Sequence, residues 1–135
     1  FSAGGQVGAL LHTAKRPRYQ AIDEIDDERF QPDFSLLVYP WRIMDEATGK
    51  LLPEIQVSSS DGPMFIVHTH DDNSSAVGAA KLYIALKENQ VSAELHVYQN
   101  GGHGYGIRPQ PNSMIHTWIN RATDWLLIQK LGRAP

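Results

Sequence analysis

Cysteine is absent from the 135-residue chain. That excludes disulfides, thiolate nucleophiles and cysteine-based zinc sites. There is no excess of positive charge either: 12 Lys and Arg stand against 15 Asp and Glu, a formal net charge of −3, with a sequence pI of about 6.0. No basic stripe invites nucleic acid, and no Lys/Arg block invites an anionic membrane surface. Long apolar runs are also missing, and none approaches the roughly 20 residues a membrane-spanning helix needs. Repeats and low-complexity tracts are lacking. The chain does not start with Met, so its natural N-terminus is expected upstream, which leaves the compartment and the oligomeric state open. What remains is ordinary: 41% hydrophobic residues, enough for one modest domain over residues 1–135 with a core of its own.

The apolar pattern alternates between two periods. Ala3, Val7, Leu10 and Leu11 form a helical stripe over Ala3–His12. Gly4, Gly5 and Gly8 weaken that helix, each by roughly 1 kcal/mol against alanine. Close approach of the helix backbone to a strand is the expected reason for them. Lys15–Arg18 and the acidic stretch Ile22–Arg29 read as solvated surface. Two short runs, apolar on both faces and bounded by turn residues, follow at Phe34–Tyr39 and Met64–Thr69. Both suit strands of a parallel sheet buried on each side. Trp41–Ser60, between them, has a turn signal at Thr48-Gly49 and admits a short hairpin. A helix is predicted over Ser75–Asn89, capped by Ser74 or Ser75. A third strand is predicted at Glu94–Tyr98, then a glycine-rich loop over Asn100–Asn112. A last helix runs from Ser113 to about Leu131, stopped by Gly132. This order is α/β with a parallel sheet and flanking helices. Three strands make a thin sheet, and the first helix has no strand before it, so the domain's N-terminal strands are expected to be missing.

In such sheets, chemistry collects past the C-terminal ends of strands. Phe1-Ser2-Ala3-Gly4-Gly5 reads as the second half of a nucleophile elbow, G-x-S-x-G, in which a sharp turn lifts a serine above the sheet. His68-Thr69-His70-Asp71-Asp72-Asn73 follows the second strand, and Gly101-Gly102-His103-Gly104 follows the third. The order Ser2, Asp72, His103 is that of nucleophile, acid and base. A serine hydroxyl needs a base near neutrality, and the base needs a carboxylate to fix its tautomer. Counting from the strand end favours Asp72 as the acid, with Asp71 as the other choice. The Ala3 N–H, at the helix start, would be an oxyanion donor. A competing pattern, H-x-H-x-D at His68, His70 and Asp72, could hold zinc. Asn73 stands where that motif would have a final histidine. His12, His96 and His116 receive no role: one ends a helix, one faces outward on a strand and one lies on a helix surface.

These segments, together with P-D-F-S-L-L-V-Y-P at Pro32–Pro40 and the run Ala93–Gly106, resemble the α/β-hydrolase superfamily. More narrowly they resemble esterases of the acetyl-xylan-esterase and lipase/esterase type. The resemblance covers the chain but only the C-terminal half of the family domain. It implies a serine carboxylesterase acting on short-chain, acetyl-type esters, with xylan or another polysaccharide as an expected carrier, and with no metal and no cofactor. It places the nucleophile at Ser2, the acid at Asp72, the base at His103 and the oxyanion N–H at Ala3. Trp41, Arg42 and Tyr105 are the expected pocket-lining residues, with Trp41 equally suited to packing. The small-molecule or polysaccharide ester is the expected partner. A prolyl-oligopeptidase-like peptidase uses the same triad order and stays open, as does a fragment without activity of its own.

Overall fold

The computed structural model describes residues 1–131, so the helix stop expected at Gly132 lies outside the described residues. The first helix, α1, spans Ser2–His12. Strand β1 (Ser35–Val38) follows, then a small hairpin of β2 (Met44–Asp45) and β3 (Lys50–Leu51), and then β4 (Met64–Thr69). Helix α2 (Ala76–Glu88), strand β5 (Ala93–Tyr98) and helix α3 (Trp118–Ile128) follow among the described residues. The main sheet has the order β1-β4-β5 and is parallel throughout, with Ser35 opposite Met64 and Met64 opposite Ala93. The hairpin forms where Thr48-Gly49 turns the chain, with Gly49 at φ +64°.

β4 is central, and all six of its residues are buried. Its side chains alternate between two cores, as the period of two requires. Met64 and Ile66 join Leu37 of β1, Ala9 of α1, and Ala79, Leu82 and Leu86 of α2 on one face. Phe65 and Val67 join Val38, Tyr105, Ile115 and the α3 residues Trp118, Ala122 and Trp125 on the other. Each large side chain withdrawn from water this way contributes roughly 1.5–3 kcal/mol. A sheet sandwiched between helices is the result, and it confirms the α/β class.

The glycines of α1 have the expected cause in two of three cases. A Cβ at Gly5 would sit 2.9 Å from Pro40 Cα, and one at Gly8 would sit 3.2 Å from Leu37 Cδ2. Gly4 meets nothing within 4 Å. The missing side chains let α1 lie directly on β1 and on the turn that follows it.

Three histidine and helix expectations need correction. His12 is not merely a helix end. It is buried, with Nδ1 2.6 Å from Ser35 Oγ and Nε2 3.0 Å from the Gly62 carbonyl, so it staples α1 to the starts of β1 and β4. His96 is half-buried rather than outward-facing. It bonds Glu94 at 2.6 Å, and Glu94 in turn pairs with Arg121 of α3. The last helix begins at Trp118 after a 3-10 turn over Ile115–Thr117, not at Ser113. The Ser113 hydroxyl donates to the Asn100 carbonyl at 2.7 Å, which ties this stretch to the loop after β5.

Among the described residues, no helix is long and apolar enough to cross a membrane.

Candidate active site

Ser2 is the first residue of α1 and has φ +49°, a region that L-residues seldom occupy outside strained turns. The strain is held from both sides. Gly5 N–H donates to the Phe1 carbonyl at 3.1 Å, closing the first helical turn. Trp41 N–H donates to the Ser2 carbonyl at 3.0 Å, tying the elbow to the loop after β1. The serine side chain does not cap its helix. It reaches instead to His103, with Oγ 2.8 Å from Nε2.

His103 lies in the loop after β5, and Asp72 lies in the loop after β4. His103 Nδ1 is 2.7 Å from Asp72 Oδ2. The second Asp72 oxygen, Oδ1, accepts the Ser74 N–H at 2.7 Å. The Asp72 carboxylate is fully buried at its side chain, while the His103 side chain keeps 27% of its surface. Such a carboxylate imposes one tautomer: Nδ1–H donates to Asp72, and Nε2 is free to accept the Ser2 proton. Ser2, Asp72 and His103, expected from three separate stretches, are thus brought into one relay.

Of the two aspartates, Asp72 is the one that meets the His103 ring. Asp71 turns away and accepts the N–H groups of Gly101 (3.2 Å) and Gly102 (2.9 Å). The Gly102 bond holds the Asp71 carboxyl below the usual carboxylate range.

The zinc pattern does not assemble. Among the described residues, no three His, Asp or Glu side chains converge as metal ligands. His70 is exposed, whereas His68 is buried with Nδ1 3.9 Å from Asp72 Oδ2 and accepting the Thr69 N–H at 3.0 Å. Burial lowers the His68 pKa and keeps this ring neutral beside the acid.

Of the residues expected to line a pocket, Trp41 and Arg42 reach the surface and Tyr105 does not. Trp41 stands edge-on to His103, with ring centroids 4.9 Å apart, and Arg42 lies over the Trp41 ring at 5.3 Å. Tyr105 does not line a pocket. It is 0% exposed and packs edge-on against Tyr39 at 4.5 Å, so its ring belongs to the core beneath the site. Burial also raises the Tyr105 hydroxyl pKa, and the hydroxyl stays protonated. Ala3 lies in the first turn of α1, where backbone N–H groups have no partner within the helix.

Several site residues carry no sequence signal. Tyr39 has φ +40° and packs edge-on to the His103 ring, with centroids 4.8 Å apart. The Ser74 hydroxyl accepts the Arg42 N–H at 3.1 Å, fastening the loop after β1 to the acid loop. The Thr69 hydroxyl donates to the Gly102 carbonyl at 2.8 Å. A tyrosine before proline gives no hint of positive φ, and a serine beside a helix start reads first as a cap. The cap is in fact Ser75.

Residues 44–132 match the sequence model of the prolyl oligopeptidase family. The chain belongs to this family. The match begins after Ser2 and takes in both Asp72 and His103. No curated protein sequence matches the chain. Similar solved structures include an acetyl ester-xyloside bifunctional hydrolase from Caldicellulosiruptor lactoaceticus, at 24% identity and TM-score 0.80, over 97% of this chain and 55% of that one. The carboxylesterase Cest-2923 from Lactobacillus plantarum is similar at 24% identity and TM-score 0.71, over 100% and 58%. A propionate-bound thermophilic esterase from Thermogutta terrifontis is similar at 20% identity and TM-score 0.74, over 99% and 56%. At these identities the likeness concerns the fold, and it shows an α/β-hydrolase architecture. The chain spans a little over half the length of those structures.

Proposed function

We propose that the chain supplies nucleophile, base and acid to a serine hydrolase that cleaves short-chain carboxylic esters through an acyl-Ser2 intermediate. The observation carrying this reading is the continuous relay Ser2–His103–Asp72, with links of 2.8 and 2.7 Å. Because the chain spans 55% to 58% of the similar structures named above, the activity is proposed for the protein that carries it.

In the acylation step, Nε2 of His103 takes the Ser2 proton as Oγ bonds to the ester carbonyl carbon. The carbonyl oxygen becomes an oxyanion facing the Ala3 N–H, a donor of the kind worth about 10² to 10³ in rate. Asp72 stabilises the imidazolium so formed. The C–O bond to the leaving group breaks as Nε2–H protonates the departing alcohol. Deacylation repeats the sequence with water in place of serine, returning the proton to Ser2 and releasing the acid. No step calls for a metal or a cofactor. Trp41, whose ring centroid lies 4.9 Å from that of His103, would border the leaving group. The acetyl ester-xyloside hydrolase among the similar structures supports acetyl esters as the substrate class.

A second reading, peptide hydrolysis by the same triad, is favoured by the family match. The two separate in one assay. The carrying protein is given p-nitrophenyl acetate and, in parallel, a peptidyl p-nitroanilide, each with wild type and Ser2→Ala. Ester turnover that Ser2→Ala abolishes and a chelator leaves intact supports the esterase. Anilide turnover exceeding ester turnover would transfer the reading to a peptidase.

A further inference from the structure

Two consecutive carboxylates follow β4, and the relay uses one of them. The other, Asp71, spends both its oxygens on the backbone just before the catalytic base: Oδ1 accepts the Gly102 N–H at 2.9 Å, and Oδ2 accepts the Gly101 N–H at 3.2 Å. Thr69, the last residue of β4, donates its hydroxyl to the Gly102 carbonyl at 2.8 Å. Three hydrogen bonds from one strand end therefore fall on two residues, and His103 is the next residue in the chain.

Those two residues need such a hold. Gly101 has φ +149° and Gly102 φ +62°, conformations that glycine adopts without strain but also leaves without cost. A side chain at Gly101 cannot supply rigidity, because its Cβ would lie 2.9 Å from Thr69 Cγ2. The loop that carries the base is thus built from the two least self-ordering residues available, and its order comes from outside. Bonds from N–H to an ionised carboxylate are shorter and about twice as strong as neutral ones. Asp71, like any aspartate, is ionised in the neutral range, and the Gly102 bond lowers its pKa further. The Asn100–Gly101 peptide unit has a second hold, since Ser113 donates to the Asn100 carbonyl at 2.7 Å, and the Asn100 side chain donates to the Asn112 carbonyl at 2.9 Å. The Gly102 N–H and carbonyl, next to His103, are held by Asp71 and Thr69.

We propose that Asp71 is a positioning residue for catalysis: its carboxylate clamps the Gly101–Gly102 backbone and so sets the distance between His103 Nε2 and Ser2 Oγ. The proposal rests on the triad reading above. It divides the labour of the Asp71-Asp72 pair, one carboxylate holding the loop that carries the imidazole and the other orienting the ring. Asp71 touches neither His103 nor Ser2, so its effect is one of placement. A misplacement near 1 Å costs a reacting pair on the order of 10² in rate.

The test follows covalent labelling by a fluorophosphonate, reading rate and final stoichiometry separately, in wild type, Asp71→Ala, Asp71→Asn and Ser2→Ala. Asp71→Ala is expected to label to full stoichiometry at a rate about 10- to 100-fold lower, with the pH midpoint of the rate unchanged, because the imidazole keeps its own carboxylate. Asp71→Asn, which retains one acceptor oxygen, is expected between the two. A rate for Asp71→Ala within twofold of wild type overturns the proposal. So does a loss of rate matched by an equal loss of stoichiometry, which would mark Asp71 as structural. Labelling of Ser2→Ala at the wild-type rate would instead overturn the triad reading itself, and the two failures are distinct.

Discussion

Replacing Asp72 by Asn changes little in volume and much in hydrogen-bond direction. One Asp72 oxygen accepts the Ser74 N–H at 2.7 Å, and the other accepts His103 Nδ1–H at 2.7 Å. An asparagine has one acceptor and one donor end. The Ser74 backbone can only donate, so it claims the amide oxygen and turns the NH2 group toward His103. The imidazole then meets a donor at Nδ1 and must carry its proton on Nε2, where Ser2 waits 2.8 Å away. In that tautomer Nε2 has no lone pair for the serine proton. The equivalent swap in the Ser-His-Asp template lowers kcat by about 10⁴, or roughly 5 kcal/mol of transition-state stabilisation. Asp72→Asn is therefore expected to lose about 10⁴ in kcat for p-nitrophenyl acetate with KM little changed, and to keep its fold as judged by circular dichroism. Retention of activity within tenfold, with the large loss appearing in Asp71→Asn instead, would refute the assignment of the acid.

Two other consequences bear on the scaffold. Gly5→Ala drives a Cβ to 2.9 Å from Pro40 Cα. The overpacking cost of about 1–3 kcal/mol exceeds the roughly 1 kcal/mol that alanine gains in a helix, so its urea midpoint should fall. Gly4→Ala, with nothing within 4 Å, should raise it, and the opposite order would contradict the packing of α1 on the turn after β1. The pH dependence follows from His12 and His68, whose pKa values are both lowered from 6.5 by burial. The unfolded chain binds protons at these sites before the folded one does. Their neutral forms thus support the fold fully above pH 6.5, and that support is lost as pH falls toward the lowered values. Urea unfolding at pH 7.5 and 5.5 should show the loss, and His12→Gln should make it shallower.

Much of this architecture is legible from residue pattern because the deciding forces are local. Met64–Thr69 reads as a buried strand since a run of apolar residues after Gly62-Pro63 has few other solutions, and the strand occupies those residues. Ser75–Asn89 reads as a helix one residue wider at each end than the observed one. Ser2 and His103 are legible because, with the carboxylate pair between them, they stand in the chain order of nucleophile, acid and base next to the ends of predicted elements. The rest is decided by partners distant in sequence. Asp71 and Asp72 are chemically alike, and only the placement of Ser74, Gly101 and Gly102 tells them apart. His12 reads as a helix end because Ser35 and Gly62, its partners, lie 23 and 50 residues away. Tyr105 reads as a pocket residue from its place in the glycine loop, yet the loop turns it inward against Tyr39.

The central claim is that Ser2 is the nucleophile of the relay. Its most direct test is mass-spectrometric mapping of the protein after reaction with a fluorophosphonate. A single adduct is expected on the peptide containing Ser2, formed quickly in wild type and lost in Ser2→Ala. An adduct on another serine, or hydrolytic activity that persists undiminished in Ser2→Ala and falls with a chelator, would contradict it.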